Sequence, residues 1–340
     1  MTRALPLLVA IMLLAVPPAA ADRLVTIDVT TGARTTLRVA GPAAWHFDPC
    51  WARDGSIVVA SVSRDRPYRY VAYGARPRTV DVMPARSVAA TLAPGCGRAL
   101  ELVYRFGRRD TGGFQVRDFG GRPLFRVSSV DVPETLSSAW SPDASRLALA
   151  RLGVWGETLT VLEATTGRVL RRRRARNPDL GAQAFSPDGR SLLYTASGPD
   201  ENVQPTILDV DTGARRVIGG YEAALARTGA WSPAGDRIAL TVDPFEQRGG
   251  ASLHVVDLAG DGRRTVPLGD RVPEELLWSP DGRTLAVAYE RGSGRRSSFG
   301  IAVLPVDPPG PLRRLVERRA SVAAPAWSPD SLRLATVLGP

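Results

Sequence analysis

The sequence predicts an all-β protein, a β-propeller of seven four-stranded blades, with six as the alternative count. Three observations predict it: a motif that returns about every 46 residues, turn chemistry that makes each repeat a pair of hairpins, and chain ends that complete one another.

The motif is plain in five copies. AWSPDASRLALA begins at Ala139, AFSPDGRSLLYTA at Ala184, AWSPAGDRIALTV at Ala230, LWSPDGRTLAVAY at Leu277 and AWSPDSLRLATVL at Ala326. A sixth, CWARDGSIVVASV, begins at Cys50. A degraded seventh, TLAPGCGRALELVY at Thr91, has Leu92 in the aromatic slot and reads as carrying one inserted residue. The anchors are Trp51, Leu92, Trp140, Phe185, Trp231, Trp278 and Trp327, spaced by 41, 48, 45, 46, 47 and 49 residues. A period of that length marks propellers or solenoids.

Turn chemistry then gives the strands. In Ser-Pro-Asp-Gly the proline presets φ at the second position of a type I turn, and Asp and Gly suit the third and fourth. The alternating runs that follow, such as Arg146-Leu147-Ala148-Leu149-Ala150, suit strands packed between neighbouring sheets. A second hairpin turns at Thr-Gly or Asp-Gly, as in ILDVDTGARRVI from Ile207, which makes four strands per repeat. The mature N-terminus opens with a second hairpin lacking its first, and the C-terminus ends with a first hairpin lacking its second. Residues 24–39 and 322–338 therefore close one blade.

The WSPDG-type turn, the Arg and aliphatic strand after it and the trailing Thr-Gly hairpins resemble the PD40 (WD40-like) repeats of the TolB C-terminal propeller. The resemblance covers essentially the whole mature chain. It implies the fold and carries over no binding residue, because one propeller serves many roles. TolB proteins have an α/β domain ahead of six blades. Here the repeats start within a few residues of the expected leader, and the count is seven.

That leader is residues 1–21: a basic start with Arg3, an apolar stretch and Ala19-Ala20-Ala21, which read as a secretory signal. Its apolar core is too short to span a bilayer. A single propeller domain, 22–340, is expected to be periplasmic or secreted and monomeric, with no transmembrane segment. The formal charge is +10, and every basic residue is arginine. An exported chain seldom meets nucleic acid, so no nucleic-acid partner is expected. Two cysteines in an oxidising compartment suggest one disulfide. Cys50 precedes anchor Trp51 and Cys96 lies in the matching turn of the next blade, so a Cys50–Cys96 bond is expected.

No catalytic set is recognisable. There is no Gly-x-Ser-x-Gly elbow, and His46 and His254 are the only histidines. His254 reads as structural and His46 as part of a blade junction. No metal-ligand spacing occurs, and no cofactor is expected. Asp54, Asp143, Asp188, Asp281 and Asp330 share one turn position, which makes them structural. The run Arg171 to Arg174 reads as a charged, exposed outer strand that discourages edge pairing.

Propellers place the Ser-Pro-Asp-Gly turns on one face, and the second-to-third strand loops and blade junctions on the other. The latter carry Arg108, Arg109, Trp155, Phe245 and Arg248, with Tyr221 and Glu222 in a junction, and they form the candidate contact surface. The expected role is a non-enzymatic scaffold of the bacterial envelope that binds an as yet unidentified protein or peptide. The alternatives are a lyase or glycan-processing enzyme, or a glycan- or polyanion-binding module. Either would use channel residues such as Asp179, Arg227, Glu274 and Glu275.

Overall fold

The computed structural model describes residues 23–37, 45–63, 66–82, 87–105, 111–128, 136–153, 156–175, 181–197, 203–219, 224–244, 250–260, 262–292 and 294–339. They form seven four-stranded antiparallel sheets and one short 3-10 turn, Gly294–Arg296. We number the blades by their innermost strands: Trp45–Trp51, Ser87–Leu92, Leu136–Trp140, Gly181–Phe185, Ala224–Trp231, Arg271–Trp278 and Ala326–Trp327 for blades 1 to 7. Each innermost strand ends on a repeat anchor. Blade 7 is composite: Arg23–Asp28 pairs with Arg333–Leu338 in an unbroken register from Arg23↔Leu338 to Asp28↔Arg333. The count is therefore seven, and hydrogen bonds between the two ends of the chain close the ring. No helix among the described residues is long and apolar enough to cross a membrane.

The recurrent turn is held by a relay that explains its sequence. In blade 4, Ser186 Oγ donates to Asp188 Oδ1 (2.6 Å) and accepts from the Ser191 N–H (2.9 Å), while Asp188 Oδ1 also accepts from the Arg190 N–H (3.0 Å). The Asp188 carboxyl is held below the usual range by its Ser186 and Arg190 hydrogen bonds. Ser141, Ser279 and Ser328 repeat the arrangement. Blade 5 has Ala at the acid's usual place, and Asp236, two residues along, takes the Ser232 bond at 2.7 Å. Gly189 and Gly282 sit at φ +69° and +70°, a region that favours glycine. Ala144 and Ser331 occupy the same place at φ 57° and 61°.

One sequence expectation is corrected here. The copy at Thr91 has no inserted residue: five residues separate Leu92 from Arg98, as five separate Trp140 from Arg146. What distinguishes it is a turn with no acid; Ala93 stands in place of the serine, as Ala52 does in blade 1, and Cys96 occupies the left-handed region, as Ala144 and Ser331 do. His46 also moves. Its backbone pairs with Ser61 within the innermost strand of blade 1, so it lies in a strand and not in a junction.

The core is divided into seven apolar clusters, one for each seam between blades. Anchor tryptophans add polar ties across the seams. Trp51 Nε1 donates to Ala326 O (3.0 Å), Trp278 to Ala230 O (3.3 Å) and Trp327 to Leu277 O (3.0 Å). Guanidiniums cover two of these rings, Arg333 over Trp51 and Arg237 over Trp278.

The seam between blades 1 and 2 differs. Beside the small side chains of Val58, Ala60, Ala72 and Ala99 it buries the Tyr70 ring, stacked on Phe119 at 4.4 Å, and a polar network is built around that tyrosine. Glu101, fully buried, accepts from Tyr70 Oη (3.2 Å), Gln115 Nε2 (2.5 Å) and Arg117 Nε (3.2 Å). Arg117 also pairs with Asp81 (3.0 Å) and donates to Val82 O (3.0 Å). Burial and the neighbouring Glu101 push the Tyr70 hydroxyl far above its ordinary value, so it stays a donor. Cys50 and Cys96 form a disulfide across this same seam, with Cα atoms 5.8 Å apart.

Candidate contact face and channel mouth

Strand lengths separate the two faces of the ring. Each of the seven turns between first and second strands is five residues long, for example 52–56, 186–190 and 328–332. The opposite face is irregular: second-to-third strand links range from two residues (154–155) to six (292–297), and blade junctions from one (270) to eight (37–44). The turn face spends its serines and acids on itself. The variable face is where sequence is free to differ, which is the usual place for recognition.

All seven predicted contact residues (Arg108, Arg109, Trp155, Tyr221, Glu222, Phe245 and Arg248) lie outside the described residues, as does Asp179. Three channel candidates are placed on innermost strands of neighbouring blades. Arg227 is on Ala224–Trp231, and Glu274 and Glu275 are on Arg271–Trp278. Glu274 is exposed and Glu275 half-buried.

These residues fall at β-bulges. The inner-strand register slips between Phe47 and Cys50, Ser87 and Ala89, Ala182 and Ala184, Ala226 and Gly229, and Pro273 and Glu275. The skipped positions are Asp48-Pro49, Val88, Gln183, Arg227-Thr228 and Glu274. An unpaired extra residue breaks the ladder and re-aims the strand, and bulges recur beside functional sites. In blade 5 the freed Thr228 N–H donates to Thr241 Oγ1 (3.1 Å), so the irregularity is supported from behind. Sequence reasoning missed Asp48 and Gln183, although both lie within a few residues of an anchor, as Glu274 does.

Among the described residues, blade 6 supplies a polar cluster on the variable face. Arg291 Nε donates to Asp270 Oδ2 (2.7 Å) and its Nη1 lies 3.5 Å from Glu317 Oε1. Glu317 accepts from Tyr289 Oη (2.9 Å) and Ser298 Oγ (3.0 Å), and the Arg271 guanidinium lies over the Tyr289 ring. Gly300 makes this possible, because a Cβ there would meet Tyr289 Cζ at 2.5 Å. Burial opposes the Glu317 charge, but the Tyr289 and Ser298 bonds and the Arg291 and Arg314 charges outweigh it and hold the carboxyl low. Burial and the bond to Glu317 push Tyr289 upward. At neutral pH the cluster is thus a fixed array of guanidiniums, carboxylates and a phenol donor. It suits recognition of polar groups. No local stretch of sequence signals it, since its members come from a blade junction and all four strands.

His254 is half-buried with Ser252 Oγ 2.9 Å from its Nε2, and burial, then the Arg263 charge, bring it down to about 4. A base that weak is poorly matched to proton abstraction near neutrality. Among the described residues no group of three His, Cys, Asp or Glu side chains could hold a metal.

No family model and no curated protein sequence matches the chain. Solved structures do. Its fold is shared with a protein assigned as TolB from Agrobacterium tumefaciens, at 15% identity and a TM-score of 0.56, over 94% of this chain and 99% of that one. It is shared equally with an oligogalacturonate lyase in complex with manganese, at 14% identity and a TM-score of 0.64, over 94% and 96%. A third is the oligogalacturonate lyase of Vibrio parahaemolyticus, at 12% identity and a TM-score of 0.65, over 94% and 97%. At these identities the likeness is one of fold.

Proposed function

We propose that this chain is an exported recognition propeller of the bacterial envelope that binds a protein or extended peptide through its variable face. One observation carries the reading. The first-to-second strand turns, all five residues long and internally bonded, share one face with third-to-fourth turns of four to seven residues, while links of one to eight residues form the other. A scaffold that fixes one face and varies the other is built for binding. Export is supported by the apolar leader and by the Cys50–Cys96 bond.

The test replaces Trp155 and Phe245 by alanine and compares crosslinked capture from an envelope extract. One protein captured by the parent and lost from the double variant is the expected result. Undiminished capture would remove the variable face from the account.

A second reading is favoured by the bulges that carry Arg227 and Glu274, and by the two lyases among proteins of like fold. In it the channel mouth would process an acidic oligosaccharide. Turnover of galacturonate oligomers that is lost on Glu274→Gln or Glu275→Gln would favour this reading over the first.

A further inference from the structure

Arginines tie the blades together chiefly through backbone carbonyls. Arg98 donates to Ala144 O (2.9 Å), Arg171 to Val210 O (3.0 Å), Arg264 to Pro305 O (3.0 Å) and Arg34 to Leu315 O (3.0 Å), each in a neighbouring blade. Arg171 is thus a strut, which corrects the reading of Arg171 to Arg174 as a plain solvated edge. The cluster at the variable-face end of blade 6 uses its guanidiniums differently. Arg291 and Arg314 are directed at side-chain carboxylates, and both remain partly in solvent.

The two carboxylates of the cluster are not equivalent. Glu317 is fully engaged: Arg291 Nη1 lies 3.5 Å from Oε1, Arg314 Nη1 lies 3.6 Å from Oε2, and Tyr289 and Ser298 donate to it as well. Its side chain is 14% exposed. Asp270, in the junction before the innermost strand, is 61% exposed and gives only Oδ2 to Arg291 Nε, at 2.7 Å. No other residue engages Oδ1 among the described residues, and the Arg291 Nη2 group is likewise unused.

The pair presents a donor and an acceptor side by side in a fixed geometry. Arg291 is anchored through Glu317 to the phenol of Tyr289, which is 2% exposed and lies under the Arg271 guanidinium. An exposed ion pair adds little to stability, so folding alone does not account for this support. A prearranged polar pair does serve a ligand, because its ordering cost is met before binding.

The signs of the charges select the ligand. A lone carboxylate or phosphate would meet Asp270, and a lone amine would meet Arg291 and Arg314. A zwitterion satisfies both. We propose that the blade 6 cluster binds a free α-amino acid, whose carboxylate accepts from the unused N–H groups of Arg291 and Arg314 and whose ammonium donates to Asp270 Oδ1. The two charges of an α-amino acid lie on adjacent carbons, which matches a cation and an anion joined by one hydrogen bond. The site needs neither a protein partner nor turnover, so it goes beyond both readings of function.

The test is calorimetric titration of the full chain with each of the common L-amino acids. The tightest of them is then compared with the matching acid that lacks the amine and the matching amine that lacks the carboxylate. The amino acid should bind about tenfold or more tightly than either. Asp270→Asn should abolish the preference over the acid without lowering the melting temperature, because the exposed pair contributes little to folding. Arg291→Lys, which keeps the charge and loses the fork, should weaken binding severalfold. Arg126→Glu, a reversal on the exposed outer strand of blade 2, should leave it intact. Envelope capture and galacturonate turnover do not enter this titration, so either reading of function can fail without it. Absence of binding by every amino acid, equal binding of either single-charge analogue, or an unchanged preference in Asp270→Asn would each overturn the proposal.

Discussion

The polar seam between blades 1 and 2 makes a prediction about order as well as size. Removing one partner of a buried ion pair costs about 3–5 kcal/mol, because the other charge is left without compensation. Glu101→Ala removes an acceptor from Tyr70, Gln115 and Arg117, yet Arg117 keeps Asp81 at 3.0 Å and Val82 O at 3.0 Å. Its guanidinium remains paired, so the cost falls near the lower end, about 3 kcal/mol. Arg117→Ala is different. It removes the cation shared by Glu101, whose side chain is 0% exposed, and Asp81, at 11%, and leaves two carboxylates facing one another in a dry seam. That cost falls near the upper end, about 5 kcal/mol.

Urea denaturation followed by tryptophan fluorescence measures both, with Glu101→Gln as a control that preserves shape and acceptor. The expected order of stability is parent, Glu101→Gln, Glu101→Ala, Arg117→Ala. If both alanine variants lie within about 1 kcal/mol of the parent, or Glu101→Ala is the worse of the two, the network does not hold the seam.

Three further perturbations test other parts of the fold. Cys50→Ser with Cys96→Ser removes a bond spanning 46 residues and should cost about 4 kcal/mol in the loop-entropy model, read as a lower urea midpoint that reductant no longer shifts. Ala144→Gly relieves a residue held at φ 57°; strain relief exceeds the added chain entropy, so a gain of ~0.5–1 kcal/mol is expected, and a loss would contradict the turn geometry. His254 has a folded value of about 4, below its unfolded value near 6.5. The unfolded chain therefore takes up the proton first, and stability falls as the pH drops through that window, by about 1–2 kcal/mol between pH 7 and 5. His254→Gln should flatten this slope, and an unchanged slope would assign it to other groups.

The parts of the fold that were legible in the sequence are those fixed by local turn chemistry. Ser186, Asp188 and Gly189 fulfil their roles within six residues of chain, so the same letters return wherever the same turn does. The blade count and the closure of the ring by Arg23–Asp28 against Arg333–Leu338 follow from that recurrence. The degraded copy at Leu92 was read as a lengthened turn, because a missing serine and acid looked like a shift in alignment. The length and the backbone bonds are kept, and only the serine–acid relay is lost.

What was illegible depends on contacts between repeats. Tyr70 and Glu101 are 31 residues apart, and Arg117 lies 16 beyond Glu101, so no window of the sequence holds them together. The same holds for Arg291, Asp270, Tyr289 and Glu317 in blade 6, which meet because antiparallel pairing brings four strand ends to one place. The Arg171 to Arg174 run was visible, but its first member's attachment to the next blade was not. A repeat protein reveals in its sequence what each unit does for itself. Function needs what the units do to one another, and in this ring those departures from the repeat gather at the 1–2 seam and in the polar cluster of blade 6.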